Sequence, residues 1–551
     1  MNSIFDRISQ FGDSGKTDSV TFKYILLCTA LCALAAHLYC WTNSLFSHDS
    51  LMVMQNDWEH QIGIGRPFQQ FYVALRGAIV APWLIGMLGT LFLALANWQI
   101  VKLLHITNRL YILAVCAALT TNATITLVNA TYLDWFDIMM LALFLSCASI
   151  NLCNRHTWYC SAAAALLLCL SAGLYQSYLS AAVTLTLISC AQRLLANQRK
   201  ECLHFGIRVA FTIIAGLLLY LVAQKVAFVL AGGAEYHTYN SVSAAFSSNT
   251  PIYQVAFAVW LDFWTKLVWP ETYAIPLIGV CNLALLTIGL IGLLGHARNN
   301  TSKTNLLLAA TILALLPLAM NCVNIASYPT VHSLMIFSYY LFYPAVFAIL
   351  QSCSPSAASI STANSPSTQP QPNKSKTGHR ASRHFAPIVL STTLVLCMAA
   401  SGVIYANQVY LKKDLEYQAT FSFMTRLVER MDTTDGYVPG ETPVAFVGVP
   451  SNNVLFKNNR IGFPPALSQP TFDDSGQFTG YAVGLAANIP ISSVETVELY
   501  FHNILGLPLK IADTSSMSQA EREAGIDSVP EAFPSQKSID LIDGTLFVRV
   551  A

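Results

Sequence analysis

Charge is what this chain has least of. Asp, Glu, Lys and Arg make up 11% of its 551 residues, against about 25% in a soluble domain, and the mean hydropathy is +0.50. A soluble globular class is thereby excluded. The formal net charge is only +1, so nucleic acid is not an implied partner. No nucleotide-binding signature stands in the chain, and its polar last part has neither zinc-ligand spacing nor a nucleophile elbow. Fourteen cysteines are present, but none lies beyond Cys397 and most fall inside apolar runs. That distribution excludes a disulfide framework, and Cys28-x-x-x-Cys32 reads as packing rather than as metal or redox chemistry. The polar start "MNSIFDRISQFGDSGKTDS" leads into an apolar run without a small-residue cleavage site, so 24–46 reads as a signal anchor.

What is present is apolar sequence in blocks. Runs long enough to cross roughly 30 Å of hydrocarbon occur near 24–46, 82–101, 110–128, 136–152, 158–174, 178–195, 207–230, 275–295, 305–321, 333–351 and 386–405. They predict an α-helical polytopic membrane protein of about 11 transmembrane helices. Basic residues mark alternate loops: Arg7, Lys16 and Lys23, then "VKLLHITNR", "NRH", "QRLLANQRKECLHFGIR", "HARNNTSK" and "NKSKTGHRASRH". Lys/Arg bias assigns these to the cytoplasm. The loops between them gather carboxylates, aromatics and amides, and are expected outside.

The expected organisation is a cytoplasmic N-terminus (1–23), a membrane module with outer loops (24–351), a cytoplasmic loop (352–385), a last span (386–405) and an extracytoplasmic α/β domain (406–551). Within the module, 47–81 holds an outer loop and then "PFQQFYVALRGAIV", a helix at the membrane interface. Pro67 and Pro82 each suit the first turn of a helix. A second, long outer loop spans 231–274. Ser, Pro, Thr, Asn and Gln dominate 352–385, which cannot bury a core and reads as disordered. The final part opens with the helical pattern "NQVYLKKDLEYQATFSFMTRLVERMD". Strand-like "PVAFVGV", "VETVELYF" and "LKIAD" follow, and "SIDLIDGTLFVRV" reads as a hairpin about Asp-Gly.

The first outer loop, "SHDSLMVMQNDWEHQIGIGRP", places Asp49, Asp57, Glu59 and Arg66 just past the first span. A carboxylate can take the proton of an attacking hydroxyl. An arginine at a Gly-x-Gly-Arg-Pro turn can grip a phosphate through two hydrogen bonds. Together they suit removal of a sugar from a lipid phosphate, with Arg66 as phosphate ligand and Asp49, Asp57 or Glu59 as base. The competing readings are a helix cap for Asp49, a loop-shaping ion pair between Arg66 and Asp57 or Glu59, and an interfacial anchor for Trp58, which otherwise could stack on a sugar ring. Asp134 and Asp137, three apart on one helical face, are candidates for sugar or acceptor contact or for capping. Tyr175 and Gln176 form a turn that could meet sugar hydroxyls. Lys266, His332 and His237 are further outer-loop candidates for phosphate, or ordinary polar surface.

"FSHDSLMV…IGIGRPFQQF" and "NATYLDWFDIMMLALFLS" resemble the GtrII-type bacterial membrane glucosyltransferases, which fall in the wider class with the GT-C fold. "GLYQSYLSAAVTLTL", "VHSLMIFSYYLFYPAVF" and "ANQVYLKKDLEYQ" are similar to that family as well. The resemblance implies transfer of a glucosyl group from a polyprenyl-phosphate donor to a cell-surface glycan, with inversion, in the lipid of the bacterial cytoplasmic membrane and on its extracytoplasmic side. It implies a catalytic acid in the first outer loop, best matched by Asp49. The chain departs from the pattern common in the wider class by having a single Asp in "HDS", so Asp57 or Glu59 stays open as the partner acid or base. No cofactor is required by the resemblance; some GT-C enzymes use a divalent cation and others do not. A transporter or flippase for a lipid-linked glycan, or a non-catalytic subunit handling one, is the alternative. It would more often bring internal repeats and mid-membrane polar residues.

Overall fold

The computed structural model describes residues 15–43, 45, 50–51, 58–77, 79–155, 157–232, 250–270, 277–327, 333–352, 377–450 and 493–551. Among them, nine helical stretches are long and apolar enough to cross a membrane: Ser19–Thr42, Pro82–Leu103, Arg109–Thr131, Leu133–Cys153, Gln176–Leu195, Arg199–Leu230, Leu277–Gly295, Lys303–Met320 and Pro387–Asp432. The chain is a polytopic helical membrane protein. Two of the expected spans take other forms. Trp158–Leu174 is a shorter apolar helix. The run at 333–351 is two 3-10 turns, Ser333–Met335 and Phe337–Leu341, followed by a helix over Phe342–Ser352. Every side chain from Ile336 to Leu350 is buried, so this run is core rather than a lipid-facing span.

The elements that position the site are α1 (Gly15–Thr42), α2 (Trp58–Gly63), α3 (Gln69–Leu75), α4 (Pro82–Leu103), α5 (Arg109–Thr120), α6 (Ala123–Thr131), α7 (Phe136–Cys153), α8 (Trp158–Leu174), α9 (Leu179–Leu195) and α10 (Arg199–Leu230). Pro82 opens α4 as expected. In α3, Gln69 and Val73 are buried while Phe71 and Leu75 are exposed, the face distribution of a helix lying at an apolar boundary. Helix α10 stands at the margin of the bundle and turns Leu203, Phe211, Leu218 and Val222 outward.

The expected single span at 110–128 is two helices. Asn122 breaks it, because its side chain accepts from the Ile125 N–H at 3.0 Å and so caps a fresh helix. The break frees the Thr120 carbonyl, which accepts from His37 Nε2 at 3.0 Å; the other ring nitrogen lies 2.7 Å from the Tyr410 hydroxyl. Gly402 packs against this break, where any Cβ would collide with the Thr121 carbonyl.

Tyr410 and Gly402 belong to α11 (Thr377–Asp432), 56 residues without interruption. The sequence suggested a span ending near 405 and a separate tail helix, but no breaker stands between them. At 1.5 Å per residue, the stretch from Pro387 to Asp432 is about 70 Å long, twice the hydrocarbon thickness. Its far end buries Phe423, Met424, Leu427 and Met431 beneath a sheet. That sheet has the order β2-β1-β4-β3, with β1 at Pro443–Val447, β2 at Lys510–Ile511, β3 at Ile539–Ile542 and β4 at Thr545–Arg549. Strand β1 runs parallel to β2 and β4, and β3 and β4 pair antiparallel. The Asp543-Gly544 turn forms with both residues at positive φ, +47° and +77°, as a two-residue hairpin requires. "VETVELYF" is a correction: Val494–Tyr500 is helix, started by a Ser493–Thr496 capping box. Its buried residues, Thr496, Val497, Leu499 and Tyr500, follow helical rather than alternating spacing. The two faces of the sheet bury different sets. Val444, Leu546 and Val548 join the long helix, whereas Ala445 and Phe547 pack with Val529 on the opposite side.

Candidate functional site

A small set of turns and helix ends meets at one end of the bundle, and its centre is the Gly63–Arg66 turn. Gly65 has φ +84°, and a Cβ there would lie 2.7 Å from Gln176 Nε2 and 2.8 Å from the Tyr220 hydroxyl, so only glycine fits. The turn is closed by Gly65 N–H to Ile62 O at 3.0 Å and Arg66 N–H to Gln61 O at 2.8 Å. Its carbonyls are then taken by side chains from two other elements. Gln176 donates to Gly65 O at 2.7 Å and Ile64 O at 3.2 Å. Tyr220 donates to Gly65 O at 2.8 Å and Gln224 to Ile62 O at 2.6 Å, both from α10. Past Pro67, the Phe68 N–H reaches Gly173 O at 3.2 Å, and Gln69 Nε2 reaches Leu174 O at 2.7 Å.

This lacing fixes Arg66. Its guanidinium carbon lies 4.9 Å from the centre of the Tyr175 ring, a cation–π stack. Among the described residues its buried Nε has no hydrogen-bond partner and no carboxylate pairs with it. Burial raises the pKa of the Tyr175 hydroxyl against the opposing pull of Arg66 and a bond to Ser177, so the ring stays neutral beneath the cation. Arg66, Tyr175 and Gln176, read from sequence as separate candidates, thus form one unit. Within it Gln176 is a strut whose amide nitrogen is occupied by the turn.

Beside it lies a buried ion pair. Arg76 Nη1 is 2.6 Å from Asp137 Oδ1, with both side chains almost wholly enclosed. The Tyr72 hydroxyl donates to Asp137 Oδ2 at 3.0 Å, and the Ile138 N–H to Oδ1 at 2.9 Å. Arg76 Nη2 also donates to the backbone carbonyl of Asp134 at 3.0 Å. Burial, followed by the nearby Asp137 charge, raises the Tyr72 pKa and keeps that hydroxyl a donor. Asp137 therefore ties α3 to the start of α7 from inside, where a negative charge is also favoured by the helix dipole. Asp134 is buried too, in the 3-10 turn Leu133–Trp135. Lys413, from α11, is buried and donates to the Ala130 carbonyl.

The remaining candidates are less informative or elsewhere. Lys266 forms an ion pair with Asp262 at 3.2 Å, one turn away. Asp49, Asp57, His237 and His332 lie outside the described residues, as do the side chains of Trp58 and Glu59. Among the described residues no three His, Cys, Asp or Glu gather as metal ligands would. Sequence reading missed Arg76, Tyr72, Tyr220, Gln224 and Lys413. The first two carried a signal, since positions four apart share a helix face.

A model of the glucosyl transferase GtrII family matches residues 38–349. The chain belongs to the GtrII glucosyltransferase family. No curated protein and no solved structure matches it. Membership supports glucosyl transfer as the activity and implies a sugar donor and a glycan acceptor. The GtrII match takes in the whole Arg66 unit and the Arg76–Asp137 pair, but stops short of α11 and the sheet.

Proposed function

We propose that this GtrII-family chain moves a glucosyl group from a polyprenyl-phosphate donor to a cell-surface glycan, at the extracytoplasmic face of a bacterial cytoplasmic membrane. The acceptor hydroxyl oxygen attacks the anomeric carbon as the bond from that carbon to the phosphate oxygen breaks, in one inverting displacement. The hydroxyl proton passes to a first-loop carboxylate, assigned to Asp49, with Asp57 and Glu59 as the other acids in reach along the chain. The electron pair stays with the departing polyprenyl phosphate, whose growing charge needs a fixed cation.

The observation that carries this reading is Arg66: a guanidinium stacked on Tyr175 whose buried Nε meets no partner among the described residues. A buried donor without a partner costs about 1–3 kcal/mol, a cost that makes sense where an anion arrives to meet it. The alternation of basic and acidic loops supports the extracytoplasmic side. Lys266 and His332 remain proposed as further phosphate contacts, and Trp58, Tyr175 and Asp134 as residues bordering the sugar or acceptor, with Asp137 behind them in its enclosed pair with Arg76. The break at Asn122 with His37 behind it favours one second reading, a translocator of lipid-linked sugar, since interrupted helices build transporter sites.

The test is release of lipid phosphate from synthetic short-chain polyprenyl-phosphate glucose by full-length protein in nanodiscs. Arg66→Ala and Asp49→Asn, each folded by thermal melting, are expected to lower release by ~100-fold or more. Wild-type release from both variants overturns the assignment. Movement of a fluorescent lipid-linked sugar across proteoliposomes, with no release at all, establishes the translocator instead.

A further inference from the structure

Leu51 is wholly buried, and it is buried in an unexpected place. It belongs to the same apolar cluster as Phe423, Met424 and Leu427 of α11 and Val444, Leu546 and Val548 of the sheet. Leu51 is thus anchored in the core of the C-terminal part, which lies beyond the residues matched by the family. The last turns of α1, which lead into the first loop, are held by the same helix. Asn407 Nδ2 donates to Ala35 O at 3.1 Å, and the Tyr39 hydroxyl donates to Asp414 Oδ2 at 2.7 Å. Tyr39 near the end of α1 and Leu51 in the first loop are therefore both held to one rod, the first by Asp414 and the second by the Phe423–Leu427 face. Asp49 stands two residues before Leu51. At ~3.6 Å per extended residue, connectivity alone keeps its Cα within about 7 Å of that of Leu51.

We propose that Leu51 is a positioning residue: it bolts the base-bearing loop to the C-terminal sheet, so that α11 and the sheet set where the first-loop carboxylate stands. The proposal rests on the reading of Asp49 as base. A misplacement near 1 Å can cost ~100-fold in rate without disturbing substrate binding, so a shortened Leu51 acts on kcat. Phe547 supplies the control, because it packs on the opposite face of the same sheet, in an apolar cluster separate from that of Leu51.

The experiment compares full-length Leu51→Ala, Leu51→Met and Phe547→Ala in nanodiscs, each with its Tm and with release of lipid phosphate from polyprenyl-phosphate glucose. Leu51→Ala is expected to lower kcat by ~10-fold or more with donor KM within about 2-fold, and Leu51→Met to restore most of it. Phe547→Ala is expected to lower Tm at least as far while keeping turnover. Where Leu51→Ala fails to fold, Leu51→Val gives the same comparison. Wild-type kcat in folded Leu51→Ala, or an equal kcat loss in Phe547→Ala, overturns the proposal. Asp49→Asn run alongside separates the two readings: retained turnover there defeats the base assignment, while the Leu51 result is still scored against Phe547.

Discussion

Arg76 and Asp137 show how a buried charge changes meaning once its partner is known. From sequence, Asp134 and Asp137 are two acids on one helical face near the membrane surface. In the structure the Arg76 guanidinium spans both, taking the carboxylate of one and the backbone carbonyl of the other. Removing one member of such a pair strands the other in a dry site, at about 3–5 kcal/mol. Arg76→Met and Asp137→Leu are each expected to lower the denaturation midpoint in detergent accordingly, and the double variant to recover much of the loss; strict additivity would deny the pair. Arg66 behaves differently, because among the described residues no carboxylate pairs with it. Arg66→Lys is expected to keep Tm within a degree or two while cutting lipid-phosphate release by ~10-fold, since an ammonium keeps the charge but loses the planar stack and its fork.

At the scale of elements, the Gly-x-Gly-Arg-Pro turn was legible as a place of close backbone approach, and its geometry explains the glycine in detail. Gly65→Ala forces a Cβ onto Gln176 and Tyr220 at a positive φ, a strain of about 1–3 kcal/mol. It is expected to lower both Tm and turnover, whereas Gly77→Ala, also at positive φ but meeting only Ile79, should lower Tm without touching turnover; a melting and release assay on the pair checks this. The helical blocks were readable from apolar length, and the hairpin from Asp-Gly. The break at Asn122 was hidden by the apolar residues on either side, and "VETVELYF" was misread because β-branched residues outweighed a capping serine. A second capping box, Ser518 with Glu521, carries a titratable part: bonds from Ser518 hold the Glu521 pKa below its usual value. A lowered folded pKa stabilises above the unfolded pKa of about 4.3 and loses that help as pH falls. Glu521→Gln is therefore expected to flatten the fall of Tm between about pH 5 and pH 3, followed by circular dichroism of the full chain.

Across the whole molecule, the first and last of the described membrane helices, α1 and α11, pack as one unit. The polar groups of α1 find partners on α11: His37 with Tyr410, Tyr39 with Asp414, and the Ala35 carbonyl with Asn407. Sequence could show each segment as apolar, but not that residues more than 370 apart share these bonds. Ala35→Cys with Asn407→Cys is expected to cross-link with a short bifunctional thiol reagent in native membranes, and Ala35→Cys with Leu290→Cys is not; electrophoretic mobility reads the result. The same pairing dictates an order of events during synthesis. His37 leaves the ribosome 373 residues ahead of Tyr410, which at 5–20 residues per second is roughly 20 to 75 s. Through that interval the first helix sits in the bilayer with an imidazole whose tyrosine has not yet been made. Completion of the fold waits on the last membrane helix to be translated.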